Sequence, residues 1–204
     1  MAFNRGVTIP LIIALLSLPA YFLGTFPTAL IVGKAAGHDV TTEGSGNPGA
    51  SNVNRILGWR AGLIVLLADV MKGVIAASVG LAVGGRPGGW ALGAAAVLGH
   101  VLPVMRLGKG GKGVATTAGF LAVLYPLISL GFLLAFVVVT RIFKKASIGS
   151  LMGCVLFPIL VALTRPCWEA AATLALAILI AWRHKANISR LIAGNELSTK
   201  SPES

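Results

Sequence analysis

Apolar residues come in long uninterrupted runs along this chain, and polar residues gather between the runs rather than within them. Seven apolar segments emerge, at about 9–33, 61–84, 90–105, 114–124, 126–141, 148–164 and 168–183. They do not alternate, so they lack the roughly ten-residue dyad pattern of a transmembrane barrel. Lipid admits only closed barrels and helices, because only these satisfy every backbone polar group internally. Several segments are shorter than the about 20 residues of a full span, and such helices tilt little, thin the bilayer or sit inside a bundle. The uncharged run from Gly113 to Thr140 would reach about 42 Å as one helix, beyond a hydrocarbon core of about 30 Å. Pro126 in "YPLIS" offers a break. The expected fold class is all-α, a polytopic membrane helical bundle of seven transmembrane segments forming a single domain, 1–204.

Composition agrees with this pattern. Hydrophobic residues make up 56% and charged residues 11% of the chain, against about 25% charged in soluble domains. The first run, Gly6 to Gly33, is long and lacks a small-x-small cleavage site, so it reads as a retained span and not as a signal peptide. Cys154 and Cys167 have no metal-ligand spacing and read as small structural hydrophobes.

The net charge of +11 raises the question of nucleic acid. Its distribution answers it. With the N-terminus outside and the C-terminus cytoplasmic, 13 of the 17 basic residues fall inside, among them Lys34, Arg55, Lys109, Lys112, Arg190 and Lys200. Arg5, Arg86 and Arg165 fall outside, and Lys72 lies within a span. This is the positive-inside bias, and no nucleic-acid partner is needed to explain the charge.

That orientation brings three polar stretches to one face. The first is "EGSGNPGASNVNR", residues 43–55. Gly44, Gly46 and Gly49 allow successive N–H groups to form an anion-binding nest. Ser45, Asn47, Ser51 and Asn52 add hydroxyls and amides, and Arg55 can grip a phosphate bidentately. A plain inter-helix turn is the competing reading. The glycines also fit G-x-G-x-x-G, but the strand–turn–helix context of a dinucleotide fold is missing.

The second stretch, "GHVLPVMRLGKGGKGVATT", places Lys109 and Lys112 among Gly110, Gly111 and Gly113 just before a helix start. Backbone amides, a helix N-terminus and two ammoniums suit an anion. A basic cytoplasmic turn is the alternative, and the spacing is not that of a P-loop. His100 is open to three readings: general base, phosphate donor or packed core residue. The third stretch, "RHKANISRLIAGNE", sets His184 and Asn187 three apart, on one helix face; a juxtamembrane tail drawn to anionic lipid is the alternative. Asp69 and Lys72, at i, i+3 inside a span, read as a mutual ion pair that fixes helix packing, with no second acid in a span interior to continue a proton relay.

Together these residues resemble the bacterial integral-membrane acyl-phosphate:glycerol-3-phosphate acyltransferases, the PlsY family. "SGNPGASN" resembles its S-G-N-x-G-A-T-N, with Ser51 for threonine. His100, Pro103 and "KGGKGVAT" resemble H-x-x-P running into K-G-G-K-G-x-A-T, with Leu102 and Met105 where aromatics are usual. "HKANISRLIAGNE" resembles H-R-x-N-I-x-R-L-x-x-G-x-E, with Lys185 for arginine, and "DVMKG" resembles D-x-x-K-G.

The resemblance implies seven spans with the site at the cytoplasmic face of the bacterial inner membrane. It implies acyl transfer from acyl phosphate to the 1-hydroxyl of glycerol 3-phosphate, giving lysophosphatidic acid and phosphate. No cofactor or metal is expected, and the expected partners are the two substrates and the bilayer, with the protein a monomer. Ser45, Asn47 and Arg55 would hold the acyl phosphate and the developing oxyanion. Lys109, Lys112 and nearby amides would bind glycerol 3-phosphate, with Gly46, Gly49, Ser51, Asn52, His100, Gly110, Gly111 and Gly113 contributing phosphate contacts. His184 and Asn187 would order the site.

The H-x-x-x-x-D pair of other glycerolipid acyltransferases is missing: Glu43, Met105 and Ser189 stand five positions after His38, His100 and His184. The proton of the attacking hydroxyl then goes to a donor phosphate oxygen or to a histidine. An acyl-Ser45 intermediate is not expected. An organic-phosphate transporter is the chief rival, but no internal repeat of the polar motifs is present. A non-catalytic scaffold leaves the same-face clustering unexplained, and a CDP-alcohol transferase needs an aspartate-rich metal motif that the six scattered acids do not form.

Overall fold

The structure, a computed structural model, describes residues 5–199, and their side chains from residue 8 onward. Lys200, counted above with the inner cations, lies outside the described residues. All seven apolar segments are helical. The first is α1 (Arg5–Thr25) followed by the short α2 (Thr28–Ala35), broken at Phe26–Pro27. The first polar stretch ends in a helix of its own, α3 (Ala50–Leu57), so Ser51, Asn52 and Arg55 stand on a helix and not in a loop.

The next two segments form one continuous element, α4 (Trp59–Val101), with non-helical backbone at Gly84 and Gly85. Gly85 has φ +60°, a left-handed conformation that costs an L side chain but not glycine. The element folds back there. A Cβ on Gly80 would collide with the Gly88 carbonyl, and one on Gly88 with the Gly80 carbonyl, so the two arms touch backbone to backbone. Four further helices complete the bundle: α5 (Val114–Leu124), α6 (Pro126–Phe143), α7 (Ala146–Thr164) and α8 (Cys167–Arg183). Pro126 opens α6, where the break was expected. The short α9 (Lys185–Ile192) follows.

Helix α5 wedges between the arms of α4. Gly73 abuts the Thr116 carbonyl, and Gly93 lies against the Phe120 ring. Trp90, Phe120, Leu124, Tyr125, Phe157, Val161 and Leu176 belong to the main core, with Trp90 and Phe120 edge to face at 4.9 Å. The apolar surplus faces outward. Helix α6 buries none of its residues, and Leu127, Leu130, Leu133 and Leu134 are exposed. A helix apolar all round yet unburied by protein suits lipid as its solvent. Among the described residues, four helical stretches are long and apolar enough to cross a membrane: Thr8–Ala35, Trp59–Arg106, Pro126–Phe143 and Ala146–Thr164. The second of these contains two of the segments drawn from sequence.

Asp69 and Lys72 form the expected ion pair at 2.7 Å, both buried. Lys72 Nζ also donates to the Phe26 carbonyl at 2.6 Å, which the break between α1 and α2 leaves without a helical partner. A further buried acid, Glu169, is 1% exposed in the first turn of α8, at the end of its apolar segment. Arg86, just past the turn of α4, grips it with two hydrogen bonds of 2.7 and 2.6 Å. Tyr125 donates to the same carboxylate at 2.6 Å, and Trp90 Nε1 donates to the Tyr125 hydroxyl at 3.0 Å. Sequence order hid this cluster, because its members come from three distant segments. Cys154 packs against the core as expected, whereas Cys167 is exposed at the start of α8.

Candidate active site

The loop before α3 is shaped by Asn52, which is 1% exposed. Its amide nitrogen donates to the Val40 and Glu43 carbonyls at 3.0 and 3.1 Å. Its oxygen accepts from the Ser45 N–H at 2.7 Å and from Arg55 Nη1 at 3.2 Å. Asn52 therefore builds the loop from within. Gly44, at φ +61°, passes so close that a Cβ would strike the Asn52 oxygen. The Ser45 hydroxyl accepts from the Asn47 N–H at 3.4 Å, Gly46 also takes a left-handed turn, Gly49 caps α3, and Ser51 is exposed on its first turn.

The glycine-rich second stretch is fastened at both sides. Gly111 N–H donates to the His100 carbonyl at 3.2 Å, and Arg183, at the end of α8, donates to the Gly110 carbonyl at 2.7 Å. Gly111 lies flush against the His100 ring, so any side chain there would strike Nε2. His100 is buried, with Nδ1 3.7 Å from Asp69, which ties it to the Asp69–Lys72 pair. Gly113 caps α5 in a left-handed conformation. Lys112 is half-buried, while Lys109 is exposed.

In the third stretch, His184 is 2% exposed and its Nδ1 lies 2.8 Å from the Ile180 carbonyl. A carbonyl only accepts, so Nδ1 carries the proton and Nε2 keeps its lone pair. Burial pushes the His184 imidazole down to about 4, so it is neutral at pH 7. Asn187 donates to Glu196 at 2.6 Å, and Ser147 and Arg190 each donate to the same carboxylate at 2.9 Å. Burial favours a protonated Glu196, but these three donors outweigh it and hold the carboxyl below its usual range. The Asn187 oxygen is buried with no partner among the described residues. Ser147, on the first turn of α7, carries no motif signal in the sequence; only the fold brings it here.

The stretches meet electrostatically. Burial pushes the Lys112 ammonium down to about 8; Glu196 opposes this, and Arg190, Arg55 and Arg183 reinforce it. Burial likewise lowers Arg55, which feels Glu196 and Arg190. Residues 55, 112 and 196, one from each stretch, thus share one local field. A site with half-buried cations, a neutral imidazole and an unpaired amide oxygen suits a ligand carrying both phosphate and hydroxyl groups. Among the described residues, no three His, Cys, Asp or Glu side chains gather to hold a metal ion.

Residues 14–194 match the family model described as glycerol-3-phosphate acyltransferase. Proteins named glycerol-3-phosphate acyltransferase are similar over most of the chain. That of Trichlorobacter lovleyi is 40% identical, covering 89% of this chain and 94% of its own. That of Thermus thermophilus is 42% identical, covering 87% and 90%. The fold superimposes on the crystal structure of PlsY, an integral membrane glycerol 3-phosphate acyltransferase, in its glycerol 3-phosphate form. The TM-score is 0.85 at 32% identity, covering 91% of this chain and 94% of that one. The lysophosphatidic acid form of PlsY gives a TM-score of 0.83 at the same identity. The resemblance carried by the three polar stretches thus extends through sequence and fold alike, and the chain belongs to the glycerol-3-phosphate acyltransferase family.

Proposed function

We propose that this protein transfers a fatty acyl group from acyl phosphate to the 1-hydroxyl of glycerol 3-phosphate, releasing lysophosphatidic acid and phosphate. The observation that carries this reading is the meeting of three segments far apart in sequence: Arg183 donates to the Gly110 carbonyl beside Lys112, and Arg55 donates to the Ser198 carbonyl just past Glu196. Both substrates carry a phosphate, which calls for the cations and glycine-loop amides. One carries an acyl chain, which calls for apolar helices beside the site.

Ser45, Asn47 and Arg55 hold the acyl phosphate and the oxyanion that develops on its carbonyl. Lys112 and Lys109, with the amides at Gly110 and Gly111, hold the phosphate of glycerol 3-phosphate. The unpaired Asn187 oxygen accepts from a glycerol hydroxyl. The glycerol oxygen attacks the carbonyl carbon, the bond to the phosphate oxygen breaks, and its electron pair leaves with phosphate. A histidine at about 4 is a poor base at pH 7, so the proton passes to an oxygen of the departing phosphate. Positioning and charge stabilisation then supply most of the catalysis.

In this reading the chain is one inner-membrane domain with seven crossings, the N-terminus outside and the C-terminus and site cytoplasmic, acting as a monomer. The experiment is a donor comparison in detergent with acyl phosphate, acyl-CoA and acyl-carrier protein. Phosphate release from acyl phosphate that depends on glycerol 3-phosphate supports the reading; turnover with acyl-CoA or acyl-carrier protein alone refutes it, as does transport without chemistry.

A further inference from the structure

The last described residues, 196–199, fold back over the site. Beyond Glu196, the Thr199 N–H donates to the Lys144 carbonyl in the turn between α6 and α7 at 2.9 Å. Its hydroxyl reaches the same carbonyl at 3.2 Å. In the other direction, the Thr199 carbonyl accepts from Asn54 Nδ2 at 2.8 Å, and the Ser198 carbonyl accepts from Arg55 Nε at 3.0 Å. This short segment therefore laces α3 to the α6–α7 turn, and its upstream end is pinned by the donors to Glu196.

Arg55 stands at the centre of this lacing. Nε is taken by the Ser198 carbonyl and Nη1 by Asn52. A guanidinium is a rigid planar fork. These two contacts fix its plane and use two of its five N–H donors, leaving one on Nη1 and two on Nη2 without a partner among the described residues. Bidentate recognition of phosphate depends on that plane, whereas a lysine ammonium has none to set.

We propose that residues 197–199 form a positioning strap that sets the guanidinium plane of Arg55 for the phosphate of the acyl donor, acting through the Ser198 carbonyl. The strap makes no contact with substrate in this role. It rests on the reading of Arg55 as a phosphate-binding residue, and the experiment separates the two.

The full chain is compared with deletions of 200–204 and 197–204, with Thr199→Pro, with Arg55→Lys, and with Arg55→Lys combined with deletion of 197–204. Thr199→Pro removes the N–H that anchors the strap while leaving the chain intact, so it stands in if the longer deletion fails to fold. Deletion of 200–204 is expected to leave the kinetics unchanged. Deletion of 197–204 and Thr199→Pro are expected to lower kcat/KM for acyl phosphate by about 10- to 100-fold, the scale of a small misplacement, with KM for glycerol 3-phosphate unchanged. In the Arg55→Lys background the same deletion is expected to add nothing. A deletion effect equal in both backgrounds, or none in the parent, overturns the strap. If Arg55→Lys leaves KM for both substrates at the parent values, the assignment of Arg55 to phosphate fails instead.

Discussion

The Asn187 side-chain nitrogen donates to Oε1 of Glu196 at 2.6 Å, and this fixes which way the amide faces. A carboxylate only accepts, so the Asn187 oxygen must point away from Glu196, where it is buried without a partner. An acceptor left open in a buried site discriminates strongly for a ligand hydroxyl. Asn187→Leu removes the acceptor and is expected to lower kcat/KM for glycerol 3-phosphate by about 100-fold or more. Steady-state kinetics checks this, with folding followed by thermal unfolding in detergent.

With Lys112 holding the phosphate of glycerol 3-phosphate as proposed, binding of that substrate is expected to depend on pH. Burial pushes its ammonium down to about 8, so the free enzyme holds the charge below that pH and loses it above. The expected outcome is a kcat/KM for glycerol 3-phosphate that is level toward neutral pH and falls as pH rises through about 8. Arginine keeps its charge across this range, so Lys112→Arg is expected to abolish the falling limb even if its maximum is lower. A pH profile of both proteins makes the comparison.

At the opposite end of the bundle, the Arg86–Glu169 pair is structural. Removing one partner of a buried pair leaves an uncompensated charge, at a cost of about 3–5 kcal/mol. Removing Arg86 strands the Glu169 carboxylate, which is 1% exposed, whereas removing Glu169 leaves a partly exposed Arg86, so the larger loss is expected for Arg86→Ala and the smaller for Glu169→Leu. Replacing both, as Arg86→Met with Glu169→Leu, is expected to restore most of the loss. KM for glycerol 3-phosphate is expected to stay at the parent value in the double variant. Thermal unfolding and kinetics together test the separation of the two ends.

Gly111 faces a ring and not empty space. A methyl there would strike His100 Nε2, and overpacking of this kind costs about 1–3 kcal/mol. Gly111→Ala is expected to lower the melting temperature, and adding His100→Ala is expected to recover part of it by opening room. Unfolding curves of the two single variants and the double variant form the cycle that checks this.

The helical segments are legible in the sequence because lipid-facing helices need runs of apolar residues, and such runs show without any partner. The break at Pro126 is legible for the same local reason: proline cannot donate. The stretches carrying Ser45, Lys112 and Asn187 stand out because glycine, amide and cation density is rare in so apolar a chain. What stays hidden is pairing at a distance. Ser147 is one serine among many until α7 and α9 bring it to Glu196. Glu169 carries no signal of burial until Arg86 and Tyr125 close around it, with Arg86 held in turn by the Leu124 carbonyl. Helix α3 escapes a sequence reading because eight residues are too few for periodicity to speak against the glycines before them.

Helix α5, with its 11 residues, has a rise of about 17 Å, little more than half the depth of a hydrocarbon core. Yet polar chemistry waits at both of its tips: the lysine-bearing glycine turn precedes it, and the tyrosine of the Arg86 cluster follows it. In the seven-crossing arrangement proposed above, these tips cannot both rest among headgroups of an undisturbed bilayer. Either the leaflets pinch toward each other around the enzyme, or hydrophilic wells sink into the oil from both faces. In each case the greasy tail of a lipid precursor and a water-borne polyol are brought to the same depth, and neither has to leave its own solvent for the other's.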